Sequence, residues 1–316
     1  MNTKTLLSGI KPTGEIHLGN YFGAIKQLVD LLNTGEYEGY VFIADYHALN
    51  FIQDAEEMRR LTHELALTYI ACGLDPEKVA LFKQSAVSAH TELAWIFDTI
   101  TTMPYLMRAH AFKDSEAKNK EISVGTFNYP MLMAADILLY DSQVVPVGQD
   151  QKQHIEYTRD AAEKFNRVFG ETFTLPEAYI LPNVAIVPGT DGQKMSKSYG
   201  NTIPLFASRD EIEKKVMSIV TGSGDERPEH VYAIHRLIKS EEELAPLYKE
   251  HAGKYKALKD ALVSDLDAYV APMRAKYMEL RENPEIVERA LMRGEELARA
   301  KAEEKIAQVR KVIGVR

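Results

Sequence analysis

Thr5-Leu6-Leu7-Ser8-Gly9-Ile10-Lys11-Pro12-Thr13-Gly14-Glu15-Ile16-His17-Leu18-Gly19-Asn20-Tyr21 decides how the first half of this chain is read. Thr5 to Gly9 has the length of a buried strand. A turn through Gly14 follows, and a helix begins around Gly19-Asn20, because Phe22, Ile25, Val29 and Leu32 recur at helical spacing. The glycines allow a ligand to approach the backbone closely. The free N–H groups of the new helix favour an anion. Gly19 leaves flat space on which a purine could rest, and Lys11 and His17 offer donors to phosphate oxygens. The plain alternative is an ordinary Gly-Asn helix cap with His17 a solvent-facing turn residue.

Outward from this stretch, strand and helix patterns alternate. Gly39 to Asp45 reads as a second strand, Glu56 to Ala71 as a helix stopped by Gly73, and Val79 to Phe82 as a third strand. Leu93, Ile96, Phe97 and Ile100 mark the next helix, and Val144 to Val147 is another strand. Such alternation predicts an α/β fold with a doubly wound parallel sheet. Ligands in such sheets bind beyond the carboxyl ends of strands, where Gly9, Asp45 and Gly148 fall. Beyond about Leu205 helical periodicity dominates. Glu241 to Arg316 reads as all-helical, broken near Pro272 and at Asn283-Pro284. The boundary is expected near residues 185–205, giving domains 1–200 and 201–316, and 316 residues suit two domains.

Composition narrows the function classes. Hydrophobic residues make up 45% and charged residues 27%, a globular rather than a disordered balance. The net charge of −8 argues against a broad nucleic-acid coat but leaves open a nucleic acid held by a local basic patch; no DNA partner and no membrane partner are expected. The single cysteine, Cys72, reads as a small buried residue and cannot build a disulfide or a Cys-rich metal site. No segment reads as a signal peptide or membrane span, so a cytoplasmic location is expected.

A second constellation is Pro188-Gly189-Thr190-Asp191-Gly192-Gln193-Lys194-Met195-Ser196-Lys197-Ser198-Tyr199-Gly200-Asn201. It reads as a flexible loop carrying two compact cations, Lys194 and Lys197. These can follow negative charge that migrates during attack on a phosphate. The alternative is a solvated loop rich in Lys, Ser and Gly. The order of the two segments favours adenylate chemistry, with the second at the junction to the helical part. A third feature is Tyr129, Met133 and Asp136, spaced i, i+4, i+7, which a helix starting at Pro130 places on one face. Asp136 lies inside the apolar run Met131 to Leu139, and a buried carboxylate needs a donor. An indole N–H is a donor only; a phenol also donates, so tryptophan and tyrosine stay open here. So does an Asp136 satisfied by backbone or arginine elsewhere in the fold. His47, Tyr46 and Gln151 lie near strand ends and suit an ammonium or carboxylate, His47 equally suiting a core or rim position.

The two segments resemble the HIGH and KMSKS elements of class I aminoacyl-tRNA synthetases. Ser8 to Gly14, Gly19-Asn20-Tyr21, Leu132 to Tyr140 and Val145 to His154 are similar to the tryptophanyl-tRNA synthetase family. The resemblance runs over essentially the whole chain and is looser in the helical tail. It implies a Rossmann-like sheet with an appended anticodon-reading helical domain, whose last helix packs back on the first. It implies ATP as substrate with Mg²⁺ carried on it, L-tryptophan and tRNA(Trp) as partners, and a homodimer. ATP-contacting positions would be Lys11, Pro12, Thr13, Gly19, Asn20, Gly148, Gln149, Asp150, Ile186 and Lys194 to Ser198 (Lys194, Met195, Ser196, Lys197, Ser198). Lys194 and Lys197 would act in catalysis. Asp136, Tyr129, Met133, His47 and Gln151 would hold tryptophan. Two positions depart from the pattern: Asn20 replaces the final His of the HIGH element, and Lys11 stands where many relatives carry Gln. The rivals are the tyrosine enzyme of the same fold, a nucleotidyltransferase without tRNA, and a non-catalytic paralogue. The basic residues Arg293, Arg299, Lys301, Lys305, Arg310, Lys311 and Arg316 could touch tRNA phosphates. A solvated helix interleaved with Glu295, Glu296, Glu303 and Glu304 is the preferred reading.

Overall fold

The computed structural model describes residues 3–109, 112–113, 116, 121–148, 152–180, 186–222 and 227–315. Five parallel strands form one sheet: β1 (Lys4–Ile10), β2 (Tyr37–Ile43), β3 (Val79–Lys83), β4 (Val144–Val147) and β5 (Glu177–Ile180). Their order is β3-β2-β1-β4-β5, with every pair parallel. The order reverses between β1 and β4, which opens a crevice at their carboxyl ends.

The strands alternate sides strictly. Leu6, Val41, Ile43, Val79 and Leu81 face one buried cluster, while Leu7, Tyr40, Phe42, Ala80 and Phe82 face another. Both faces being covered explains why these strands read as unbroken apolar runs. The first face carries α1 (Lys26–Asn33) and α2 (Ala55–Ala71). The second carries α3 (Ala89–Ile100), α4 (Val124–Leu138) and α5 (Lys152–Phe169). Helix α1 is entered through Leu18–Asn20 and a π-helical turn, Tyr21–Ile25. Cys72 is buried at the end of α2, and burial pushes its thiol up to about 12, which keeps it unreactive.

The carboxyl-terminal part is helical: α6 (Arg209–Met217), α7 (Glu229–His235), α8 (Glu241–Glu250), α9 (Tyr255–Glu282) and α10 (Pro284–Ile313). The expected break at Pro272 does not occur; α9 runs through it and ends at Asn283. Burial of Leu262, Leu266 and Val270 ahead of the proline and Leu280 beyond it holds both halves in one line. Helix α10 crosses the sheet at its edge strand β3. Val287 and Leu291 join the first cluster, Ala298, Ala302, Ile306 and Val309 the second, and Gly294 meets the Leu81 backbone between them. The helix therefore covers an edge that would otherwise be open to pairing.

Four of the basic tail residues make tertiary bonds instead of being merely solvated. Arg293 donates to the carbonyls of Pro76 and Glu77, and Arg299 to that of Ala86. Lys305 meets Thr172 and Asp141, and Arg310 makes a two-pronged bond to Glu92. These side chains fasten α10 to the sheet layer, which spacing along one helix cannot reveal. Arg316 lies outside the described residues.

Candidate active site

Beyond the ends of β1 and β4 lies a cleft of about 380 Å³. Its walls are Leu7 to Lys11, Val145 to Gly148, the π-helical turn at Gly23 and Ala24, and the inner face of α4. Gly9 is required here: a Cβ on it would lie 2.5 Å from the Phe42 ring of the neighbouring strand. Of the residues expected to form a site, Lys11, Gly148, Tyr129, Met133, Asp136 and His47 line this cleft.

Helix α4 starts at Val124, not at Pro130. Ser123 caps it, accepting from Thr126 N–H at 3.1 Å, and Pro130 is buried inside the helix. A strong N-cap sets the start six residues before the proline, and the missing bond falls on one carbonyl only. The face expected for Tyr129, Met133 and Asp136 is nevertheless the one that lines the cleft. Tyr129 places its hydroxyl 2.8 Å from His154 Nε2, and burial pushes the phenol up to about 12.

Asp136 is almost fully buried, its side chain 1% exposed where it lines the cleft. Its donors come neither from the backbone nor from an arginine. Gln84 Nε2 donates to Oδ1 at 2.7 Å, His90 Nδ1 lies 2.6 Å from the same oxygen, and His47 Nε2 lies 2.9 Å from Oδ2. Burial alone would raise this carboxyl, but the hydrogen bonds from His47 and His90 outweigh it and hold the group at about 2. It stays a carboxylate, an acceptor only, at neutral pH. His47 is fixed in turn by Gln84 Oε1, which accepts its backbone N–H at 3.3 Å. Asp45 accepts from Ser85 N–H at 2.9 Å and from the Ser85 hydroxyl, tying the end of β2 to the end of β3. Tyr46 is half-buried beside His47.

Gln84 and His90 escaped the sequence reading. Gln84 immediately follows β3, at a strand end of the kind that binds ligands. His90 falls at a buried phase of α3 beside Ala89 and Leu93. Those two placements were the available signal.

The lysine loop folds against the turn after β1. Lys197 Nζ donates to Thr13 carbonyl at 3.0 Å, Leu18 N–H to Ile203 carbonyl at 3.0 Å, and Leu205 N–H to Ile16 carbonyl at 3.0 Å. Asn201, almost fully buried, accepts from Ser196 N–H at 2.8 Å and donates to Asp191 Oδ1 and Lys194 carbonyl. The stretch expected to be a flexible loop is thus a tethered turn in this structure. Lys194 and Lys197 project at its surface, with Ser196 and Ser198 hydroxyls 3.0 Å apart. Burial chiefly lowers the Lys197 ammonium from its usual value, Glu15 working against it.

The direction a side chain on Gly19 would take is occupied by His17 and Met195. A Cβ on Gly19 would lie 2.9 Å from His17 Nδ1 and 3.2 Å from Met195 Cβ. Met195 is buried, with its sulfur 3.3 Å from Gly19 N–H. His17 is buried rather than solvent-facing, and Asn20 Oδ1 accepts its backbone N–H at 3.2 Å. Burial first and Lys197 second lower His17 to about 4, so the ring is neutral at pH 7 and acts as a hydrogen-bonding group without charge. Its Nδ1 is buried and lacks a hydrogen-bond partner. Lys11 Nζ sits 5.1 Å from the Phe51 ring centroid, and desolvation lowers its pKa. Pro12 is buried and Thr13 exposed beside it. Ile186 is 74% exposed and apart from the cleft walls. Gln149, Asp150 and Gln151 lie outside the described residues. Among the described residues, no three carboxylate, imidazole or thiolate groups gather where they could hold a metal ion.

The cleft lies at the switch point of the β3-β2-β1-β4-β5 sheet, and the turn after β1 joins it to the two-lysine loop. The chain matches the family described as tRNA synthetases class I (W and Y) over residues 2–291 and belongs to it. A tryptophan–tRNA ligase of Fusobacterium nucleatum subsp. nucleatum is 46% identical, over 99% of this chain and 98% of that protein. One from Rhodopirellula baltica is 46% identical, over 98% and 99%. The crystal structure of the tryptophanyl-tRNA synthetase of Campylobacter jejuni, complexed with ADP and tryptophan, superposes with a TM-score of 0.91. It is 43% identical and covers 98% of this chain and 99% of that one.

Proposed function

We propose that this chain is a tryptophan–tRNA ligase, which activates L-tryptophan with ATP and passes it to tRNA(Trp). The observation that carries the reading is Asp136: a buried, ionised, acceptor-only group beneath a cleft of small-molecule size. That end of the cleft suits a flat apolar ring with one N–H, flanked by Met133 and Tyr129. His47, bonded to Asp136, completes that end of the tryptophan site, while Gln151 serves the substrate's polar end, Gly148, Gln149 and Asp150 the ribose, and the Ile186 backbone the adenine.

The tryptophan carboxylate attacks the α-phosphorus of ATP in line. The bond to the bridging oxygen breaks, pyrophosphate leaves, and tryptophanyl-adenylate remains. A terminal hydroxyl of tRNA then attacks the mixed anhydride and AMP departs. Mg²⁺ enters with ATP as part of the substrate. No side chain need act as a nucleophile. Lys194 and Lys197 supply positive charge where negative charge develops on the leaving phosphates, and neutral His17 supplies an N–H without adding charge. Lys11, Pro12, Thr13, Gly19 and Asn20 shape the phosphate cradle, and Met195, Ser196 and Ser198 hold the loop over it.

Residues 201–316 form the anticodon-reading domain in this reading. Exposed Trp95 on α3, with Met103 and Met107 after it, supports burial against a second copy in a homodimer. The expected location is the cytoplasm; among the described residues, no helix is long and apolar enough to cross a membrane.

Pyrophosphate exchange into ATP with each amino acid tests the activity. Exchange with tryptophan is expected. Exchange with tyrosine instead would overturn the specificity, and exchange with none would overturn the enzyme. Lys197→Met should lower kcat of exchange by tenfold or more while leaving the KM for tryptophan within about twofold.

A further inference from the structure

Gln84 and His90 both have no exposed surface, and neither lines the cleft. Both aim at the same oxygen of Asp136. Gln84 Nε2 is 2.7 Å and His90 Nδ1 2.6 Å from Oδ1. A carboxylate oxygen has two lone-pair positions, so Oδ1 is filled. Oδ2 meets His47 Nε2 at 2.9 Å and keeps one position open. The His90 ring is itself oriented: its Nε2 lies 2.8 Å from the Tyr140 hydroxyl, which has no exposed surface. An ionised Asp136 can only accept, so His90 Nδ1 carries a hydrogen and points it at Oδ1, while the Tyr140 hydroxyl holds the other ring nitrogen.

We propose that Gln84 and His90 are positioning residues for ring recognition. By filling both acceptor positions of Oδ1, they turn the single open position of Oδ2 into the cleft. The open position accepts one N–H. An indole brings one N–H and no acceptor. A phenol brings an O–H together with lone pairs, which would face a carboxylate whose nearby donors are all committed to it. The selection of indole over phenol thus belongs to the three-residue set Asp136, Gln84 and His90, with Tyr140 fixing the last. This inference rests on the tryptophan activation proposed above.

The test is ATP–pyrophosphate exchange by the full-length protein with L-tryptophan and with L-tyrosine. Three variants are compared with the native chain: Gln84→Met, His90→Leu, and His90→Asn, whose amide nitrogen can replace Nδ1. Gln84→Met and His90→Leu should each raise the KM for tryptophan tenfold or more while the KM for ATP stays within twofold. The ratio of kcat/KM for tryptophan over tyrosine should fall at least tenfold in both. His90→Asn should recover most of both losses, which a purely structural role would not predict. The proposal is overturned if folded His90→Leu keeps its tryptophan KM within twofold. It is overturned equally if tryptophan and ATP constants rise together, or if His90→Asn is no better than His90→Leu. Should His90→Leu not fold, Tyr140→Phe, which removes only the hydroxyl orienting the ring, is judged by the same criteria with an expected threefold rise. A native chain inactive with tryptophan would sink the proposed function instead, before any variant is compared.

Discussion

Replacing Gly294 by alanine puts a methyl group where α10 crosses the edge of the sheet. On helix propensity alone the change should stabilise the chain by ~1 kcal/mol. The tertiary contact predicts the reverse. The added Cβ would lie 2.6 Å from the Leu81 carbonyl carbon, 2.7 Å from its nitrogen, and closer still to its oxygen. Carbon atoms pack at about 3.5–4.0 Å, so α10 must retreat by about 1 Å. What must yield is strand backbone, not the end of a flexible side chain. A gap of that size forfeits a quarter to a half of the dispersion attraction along the line of contact. Val287, Ala290, Leu291, Ala298 and Ala302 all pack along that line. Overpacking typically costs ~1–3 kcal/mol, and this site belongs at the upper end. After the propensity gain, a net loss of about 2 kcal/mol is expected. In urea, with a slope of about 3 kcal/mol per molar, the midpoint should fall by about 0.7 M. Gly23→Ala is the control: a Cβ there meets nothing within 4 Å, and its midpoint should hold or rise. A midpoint for Gly294→Ala at or above the native value would refute the close crossing. Gln84 follows β3 directly, so the retreat should also raise the tryptophan KM.

His17 carries a pH dependence. Its folded value of about 4 lies below the unfolded value of 6.5, so between them the unfolded chain binds the extra proton. Stability should therefore fall as pH drops from about 7 toward 4, by up to about 3 kcal/mol, and His17→Gln should flatten that part of the curve; an unchanged slope would show an exposed ring. The Arg310–Glu92 bond is two-pronged, at 2.8 and 2.6 Å, and half-shielded. A double-mutant cycle with alanine should give a coupling of about 1 kcal/mol, and a value near zero would mean that this pair adds nothing to the fastening of α10. Asn201→Ala removes the acceptor of Ser196 N–H and two donated bonds. Losing these should cost the loop ~1–3 kcal/mol of local order, read as at least tenfold faster tryptic cleavage after Lys194 or Lys197 in the otherwise folded chain; cleavage at the native rate would show the loop tethered elsewhere.

The sequence by itself determined four of the five strands and several helices, because a sheet covered on both faces writes continuous apolar runs at β1, β2 and β3 and the helices keep their 3.6-residue period; the short strand β5 and helix α5 were not read from it. It also determined the order of the glycine turn after β1 and the two-lysine loop, and the face shared by Tyr129, Met133 and Asp136, since that face follows from helix geometry wherever the helix begins. Partners across the fold were not legible. Asp136 takes its hydrogen bonds from His47, Gln84 and His90, which are 89, 52 and 46 residues away. Spacing along one helix carries no information about such donors. The docking of Met195 on Gly19, the neutral state of His17 and the fastening of α10 by Arg293 and Arg310 were decided in the same way, by packing between elements. The starts and continuations at Pro130 and Pro272 were decided by capping and burial outweighing a local preference. Local pattern wrote the elements of this protein; contacts between residues distant in the chain set the charge and the open positions of its cleft.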